Sequence, residues 1–290
     1  MADSLFGRSR DVVEAALPDR EPVICPLCQR EPQLFAVDFQ GFFLARCPVC
    51  RLEFQHPRPL FDQLEDAVYN ESYHPEDHRN VDGTRARIFM RQLSQLEGYM
   101  SASPATVLDV GCGAGAFLDF ASERGWEVAG TDVAVTDVVR QSGVKVWEGT
   151  LSGITFAAER FAAIRFNHVL EHTQSPLAEL QRARTLITDD GVLLVGVPNI
   201  AGLSIRLKSL QSRMGLKDQC WKHYGALHHL WFFTPATLSA LVQKAGFEVL
   251  AWETPVTDRS DRSGWISAVT RAPLEVLGLG GILDLYARPR

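Results

Sequence analysis

One stretch, Val107-Leu108-Asp109-Val110-Gly111-Cys112-Gly113-Ala114-Gly115-Ala116-Phe117-Leu118, restricts the fold of this chain more than any other. An apolar run closes on an acid, and three glycines at alternate positions lead into an amphipathic segment. That is the pattern of a buried strand, a tight turn and a helix N-terminus. The glycines stand where a ligand approaching the backbone would clash with a Cβ. Dinucleotide sites hold pyrophosphate on such a turn with the spacing G-x-G-x-x-G. Here the spacing is G-x-G-x-G, and a carboxylate at Asp109 would repel a pyrophosphate. A ligand that presents an ammonium and a sulfonium, with no phosphate, suits the turn better.

From residue 105 onward, strand and helix patterns alternate. Strands are expected near 105–110, 127–131, 144–147, 161–167 and 191–197, with helices near 115–124, 134–142 and 175–188. Such alternation predicts a parallel sheet with helices on both faces, an α/β doubly wound fold. Residues 234–245 form a further helix, with Thr234 as N-cap and Pro235 at its first position. Phe247 to Trp252 reads as a strand, Trp265 to Leu277 as a helix and Ile282 to Ala287 as a last strand.

These features together resemble the class I S-adenosylmethionine (SAM)-dependent methyltransferases, over roughly residues 100 to 290. The glycine turn is similar to their motif I. Asp132, 21 positions after Gly111, closes a second strand, where a carboxylate can accept both ribose hydroxyls of an adenosine. The sequence Val169-Leu170-Glu171-His172, the strand Gly191 to Asn199, the run His229-Leu230-Trp231-Phe232-Phe233-Thr234 and Ala245-Gly246-Phe247 resemble later elements of the family. One departure is Ala162, which follows the aromatic Phe161 where the family usually has an acid. The resemblance implies a seven-stranded, Rossmann-like sheet whose last strand is antiparallel. It implies that Asp109, Gly111, Gly113 and Gly115 hold the methionine portion of SAM and Asp132 its ribose. Thr150 and Leu151 would lie near the adenine, and Asn167 near the methionine end.

Upstream, Cys25-Pro26-Leu27-Cys28 and Cys47-Pro48-Val49-Cys50 form C-x2-C-x18-C-x2-C, a spacing suited to a tetrathiolate zinc site. Two disulfides or four unconnected thiols are the alternatives. Leu34 to Phe39 and Gly41 to Arg46 read as two short β-segments broken near Gly41, the pattern of a zinc ribbon. So small a unit cannot bury a sufficient core, and the metal would supply its folding energy. Four sulfur ligands close the shell, so the zinc would be structural. Knuckles followed by Leu52-Glu53-Phe54, a proline-bearing stretch and Tyr69 to Tyr73 are loosely similar to bacterial small-molecule and sugar methyltransferases. Cys112 reads as a packing residue and Cys220 as a plain thiol.

The chain divides into 1–56 (a helix within 1–20, then the ribbon), a helical linker or lid at 57–100, and the methyltransferase domain at 101–290. His56-Pro57-Arg58-Pro59 is expected to be a stiff connector outside any strand ladder. Ile88, Phe89, Leu93 and Leu96 recur at helical spacing. Tyr69, Tyr73 and His74 read either as lid residues or as surface aromatics. Net charge of −6 gives no footprint for nucleic acid or an anionic membrane, and no apolar run reaches the ~20 residues of a span. The start of the chain lacks a signal-peptide pattern, so a cytoplasmic protein with a small-molecule acceptor and no nucleic-acid or membrane partner is expected.

Methyl transfer from a sulfonium has its leaving group already activated, so a base is needed only where the acceptor loses a proton. Four of the eight histidines, His172, His223, His228 and His229, stand in loops expected near the acceptor. His229 and His172 are the first candidates, with Glu171 placed to orient an imidazole or cap the next helix. Each can equally be a hydrogen-bonded structural residue, and no cysteine or clear ligand spacing accompanies the late histidines to mark a second zinc site. Arg206, Lys208 and Arg213 make 200–217 basic, either a solvated helix face or a cover for an anionic acceptor. A nicotinamide-dependent oxidoreductase and a non-catalytic SAM-fold scaffold that recruits through its ribbon are the competing readings.

Overall fold

The computed structural model describes residues 5–69, 81–101, 105–256 and 273–290. Helix α1 (Arg10–Ala16) leads into β1 (Arg20–Glu21), and the ribbon supplies β2 (Gln33–Val37), β3 (Phe43–Arg46) and β4 (Glu53–Gln55). Each cysteine pair makes the same knuckle. The amide of Gln29 donates to the Cys25 carbonyl and that of Arg51 to the Cys47 carbonyl, with Gln29 and Arg51 both left-handed. The segment expected to lie outside any ladder does pair: Arg58–Pro59 forms β5, antiparallel to β1 with Pro59 opposite Arg20. A two-residue ladder with the proline at its end tolerates the missing N–H.

Helices α2 (Phe61–Ala67) and α3 (Gly83–Tyr99) follow. Asp82 caps α3 by accepting from the Arg85 amide, and Phe89, Leu93 and Leu96 turn one buried stripe toward the sheet. Ile88 falls beside that stripe and is only partly covered. The expected alternation then appears as β6 (Thr106–Val110), α4 (Ala116–Ser122), β7 (Glu127–Asp132), α5 (Asp137–Gln141), β8 (Lys145–Glu148), β9 (Phe161–Asn167), α6 (Pro176–Leu186) and β10 (Ile187–Pro198). Strand β10 begins four residues earlier than its apolar run, because Ile187 already pairs with Phe161 before a register shift. Helix α7 (Leu203–Arg213), β11 (Trp231–Phe232), α8 (Pro235–Lys244), β12 (Phe247–Glu253) and β13 (Ile282–Pro289) complete the described chain. Thr234 and Thr237 form a reciprocal cap at the start of α8. Of the helix expected at 265–277, only the end from residue 273 lies within the described residues, and 273–276 are helical.

The main sheet has the order β12-β13-β10-β9-β6-β7-β8. Pairings from β10 to β8 are parallel, and β13 is antiparallel to both β10 and β12. The order reverses between β6 and β9, the place where an open α/β sheet binds ligands. Alternate residues of the central strands face two layers. Val107, Ala163, Val192 and Leu194 pack on α3 and α4 through Phe89, Phe117 and Phe120. Leu108, Ile164, Leu193 and Val195 belong to a larger core that continues into the ribbon through Leu44, Leu52 and Phe54.

The ribbon's own sheet is completed from the far end of the chain: β11 pairs antiparallel with β4, giving the order β11-β4-β3-β2. The Tyr224 hydroxyl donates to Glu53 at 2.7 Å, and the Lys244 ammonium donates to the carbonyls of Pro26 and Leu27 at 2.8 and 2.9 Å. Among the described residues, no helix is long and apolar enough to cross a membrane.

Candidate active site

The cavity that matters opens beyond the carboxyl ends of β6, β7 and β9, with a volume of about 110 Å³. Gly111, Thr131, Asp132, Thr150 and Leu151 are among the residues that line it, with Phe61, Tyr69, His168, His172 and Glu179. The three loop glycines all have positive φ, and a Cβ on Gly111 would stand 2.3 Å from the Val169 side chain. Glycine at 111 is therefore required both by conformation and by the close approach of the β9 loop. Asp132 is buried at the end of β7, where its two oxygens accept from the Gly113 amide at 2.8 Å and the Ala134 amide at 3.0 Å. The carboxylate thus shapes the glycine loop while standing on the cavity wall.

Asp109 has a different setting. Its carboxylate is buried against Arg165, with Oδ1 accepting from the guanidinium at 2.6 Å. Arg165 in turn lies 3.9 Å over the Phe117 ring and donates from Nε to Gln92 at 3.0 Å. Gln92 donates to Asn167 at 2.9 Å. Burial pushes the Asp109 carboxyl above its ordinary range, opposed by the Arg165 charge. Asp109 and Asn167, expected at the methionine end, are therefore joined in one network with Gln92 of α3. Arg165 and Gln92 did not emerge from the sequence reading. An arginine inside the apolar strand from Phe161 to Leu170 was the available signal, since a buried cation demands a partner.

Two histidines, His168 and His172, also line the cavity. His168 is left-handed and its side chain is 44% exposed on the cavity wall, while Nδ1 donates to Glu171 Oε1 at 3.2 Å. Burial pulls the His168 imidazole down, but the hydrogen bond and charge of Glu171 outweigh it and raise the ring above its ordinary value. Glu171, 1% exposed on the 3-10 turn Leu170–His172, would be pushed up by burial. His168 and the fields of His172 and His229 reverse that and hold it at about 2. The imidazole that Glu171 bonds is that of His168, with His172 Nε2 at 3.9 Å. His172 lines the cavity and donates from Nδ1 to the His228 carbonyl at 2.7 Å. His229 stands beside it, ring centres 4.9 Å apart, with Nδ1 donating to the Tyr224 carbonyl at 2.9 Å. Burial lowers His229 to about 4. His223 is apart from this group, bonded to Ser209 at 2.9 Å.

Tyr69 is buried on the cavity wall, its hydroxyl donating to the His228 carbonyl, so it is not a surface aromatic. Tyr73 and His74 lie outside the described residues. Cys112 packs with Leu118, Val135 and Val139, and the Cys220 thiol donates to the Lys217 carbonyl.

In the ribbon, one sulfur of each of Cys25, Cys28, Cys47 and Cys50 falls within 4.8 Å of the others. The Cys25 and Cys50 sulfurs are 3.4 Å apart, far beyond a disulfide bond and near the ~3.8 Å edge of a tetrahedron with zinc–sulfur bonds of ~2.3 Å. The donor set therefore fits a tetrathiolate zinc ion.

Residues 81–251 match the methyltransferase domain family. The chain belongs to that family. A ubiquinone biosynthesis O-methyltransferase of Azorhizobium caulinodans is 30% identical over 153 residues, covering 49% of this chain and 58% of that protein. The chain thus spans less than two thirds of that relative. The protein of the same name from Cereibacter sphaeroides is 26% identical over 185 residues, 57% of this chain and 73% of its own. Among solved structures, a Thermotoga maritima SAM-dependent methyltransferase described as a possible histamine N-methyltransferase superposes with a TM-score of 0.52 at 16% identity. It covers 80% of this chain and all of its own (100%). The 1,6-didemethyltoxoflavin-N1-methyltransferase of Burkholderia thailandensis, solved with its substrate and S-adenosylhomocysteine, gives 0.53 at 18% identity, covering 89% and 99%. At such identities the likeness is one of fold, and it is the doubly wound methyltransferase fold with a ribbon added in front.

Proposed function

We propose that this methyltransferase moves the methyl group of SAM to a small-molecule acceptor, with oxygen as the receiving atom. The observation that carries the reading is the buried Asp132 carboxylate on the wall of a cavity at the sheet's switch point, beside a glycine loop that no side chain could form. When bound, SAM supplies an activated methyl group on a sulfonium. Asp132 would accept the ribose hydroxyls, with Gly111, Gly113 and Gly115 lining the turn, Thr150 and Leu151 near the adenine, and Asp109 and Asn167 holding the loop from behind through Arg165. The name carried by the two relatives supports oxygen as the acceptor atom.

Of the histidines, His168 is the one whose ring both stands exposed in the cavity and is oriented by a buried carboxylate. We place proton acceptance there, with Glu171 fixing the ring. His172 and His229, expected as bases, have their Nδ1 atoms engaged with carbonyls and their rings packed together. His168→Gln is expected to lower kcat by about 100-fold or more, as loss of a general base does, with S-adenosylhomocysteine affinity unchanged. An unaltered kcat would remove His168 from the mechanism.

Calorimetric titration with S-adenosylhomocysteine tests the cofactor site, with NAD titrated in parallel. Asp132→Asn loses the charge and keeps an oxygen for only one of the two loop amides, those of Gly113 and Ala134. It should weaken S-adenosylhomocysteine by about 10- to 100-fold, the worth of a charged hydrogen bond. Binding of NAD in its place, or no binding of S-adenosylhomocysteine, would overturn the assignment.

A further inference from the structure

The basic stretch at 200–217 meets a later turn of the chain once the protein is folded. Gly215, with a φ of 66°, turns the chain after α7, and the 3-10 turn Lys222–Tyr224 comes back against the helix. The Trp221 amide donates to the Ser212 hydroxyl at 3.0 Å, and Ser209 and His223 are hydrogen-bonded at 2.9 Å. An open cleft of about 670 Å³ lies there, lined by Lys208, Lys217 and Lys222 together with Leu216, Asp218 and His223. It shares no lining residue with the cavity at the sheet's switch point. We propose that this cleft binds a soluble phosphate ester, with the three lysines on the phosphate and the organic part against Leu216. Binding here does not depend on the methyl-transfer reading.

Three ammonium groups converge on the cleft against a single carboxylate, that of Asp218. Among the described residues, no hydrogen bond or ion pair holds the ammonium of Lys208 or Lys217, and Asp218 pairs with neither. Lys222 is anchored. It donates to Gln219 at 2.7 Å and stands 5.6 Å from the centre of the Phe39 ring. An ammonium carries three donors, so two of those on Lys222 are left for a ligand. Like charges gathered without partners repel one another, and an anion placed among them removes that cost. His223 registers the field. Burial first, and then the charges of Lys217 and Lys208, pull its imidazole down to about 4, so the ring is neutral at physiological pH.

The donors select the ligand. A planar carboxylate is best met by the fork of a guanidinium, yet Arg206 and Arg213 of α7 do not line the cleft. Ammonium groups act as compact point charges with rotating donors, which suits a tetrahedral phosphate of double charge. The cleft is far larger than that ion, and Leu216, 65% exposed, offers an organic part an apolar wall. A bilayer is flat, and lysines that converge on a concave site favour a small molecule in solution. The turn that carries Lys222 and His223 also carries Tyr224, whose carbonyl accepts from His229 and whose hydroxyl donates to Glu53. A ligand in the cleft therefore steadies a segment on which both the ribbon and His229 lean.

The test is calorimetric titration of the zinc-loaded full chain with phenyl phosphate and, separately, with inorganic phosphate. Saturable binding of one phenyl phosphate per chain is expected, tighter than that of inorganic phosphate. Lys208→Gln and Lys217→Gln should each weaken it by about tenfold or more, the worth of a charged hydrogen bond. Lys145→Gln, which removes a lysine paired with Glu159 on β8, should leave it unchanged. Melting temperatures of the same variants report that they are folded. In nuclear magnetic resonance, the His223 ring signals should move with phenyl phosphate and its pKa should rise toward the ordinary value of about 6.5, because the anion offsets the lysine charges. Absence of saturable binding, or binding indifferent to both lysine substitutions, would overturn the site. Attachment to phosphatidylglycerol vesicles with no binding of either soluble probe would overturn it as well. Equal affinities for the two probes would remove the organic part of the ligand from the cleft.

Discussion

Stripping metal from the ribbon with a strong chelator, or replacing Cys47 by serine, is expected to lower the melting temperature of the whole chain by roughly 10–20 °C. Structural zinc contributes about 10–16 kcal/mol to isolated fingers. Here part of that is replaced by packing on the shared core, and a loss of about 6–12 kcal/mol corresponds to the stated shift for a chain of 290 residues. The effect spreads because the ribbon is not a detachable unit. Strand β4 pairs with β11, Gln55 donates to the carbonyls of Ala226 and His229, and the Leu230 carbonyl accepts from the Gln55 amide at 3.0 Å. Loss of the thiolate cluster therefore frees the loop that carries His228 and His229. Hydrogen exchange should show residues 221–233 losing protection together with 25–55. Cys220→Ser, a thiol outside the cluster, should melt as the parent does. A chelated protein with unchanged melting and unchanged exchange would show that the four thiols hold no structural metal.

Arg165→Met is expected to destabilise the fold by about 3–5 kcal/mol, the cost of leaving a buried charge without its partner. Methionine fills much of the space beside Phe117, so the loss isolates the charge of Asp109. The double variant Asp109→Asn with Arg165→Met should recover much of the difference, because no ion then remains buried. The pH dependence has a definite sign. The folded-state pKa of Asp109 is already above its unfolded value, and removal of Arg165 raises it further. The folded state of the variant therefore binds a proton that the unfolded state releases above about pH 4. Its deficit is greatest at neutral pH and shrinks as the pH falls through the raised pKa. Urea unfolding of the three proteins at about pH 8 and about pH 6 measures this. A single variant as stable as the parent at both pH values would mean that Asp109 is protonated throughout and that the pair is not ionic.

Much of the molecule was written in the local sequence. The glycines at 111, 113 and 115 all take positive φ, and the apolar run before them and the amphipathic segment after them marked a strand-to-helix junction. The alternation of apolar strands with amphipathic helices gave the layers, and the proline and threonines at 234–237 gave the start of α8. The paired cysteines gave both knuckles, because the C-x2-C spacing lets two thiols of one turn reach the same ion. Asp132 could be placed at the cavity because a residue's position at the end of a parallel strand fixes which end of the sheet it occupies.

What remained hidden depends on residues distant in sequence meeting in space. Nothing near Asp109 announces that Arg165 neutralises it, since the partner arrives on the next strand of the sheet. Nothing in the ribbon announces that its fourth strand comes from residues 231–232, because edge pairing is decided by which backbone groups tertiary packing leaves beside one another. The histidines are the clearest case. Their number and loop placement were legible, and so was the adjacency of Glu171 and His172. Which ring faces the cavity and which nitrogen carries the proton are set by backbone carbonyls at Tyr224 and His228. Only the folded chain brings those carbonyls to the imidazoles.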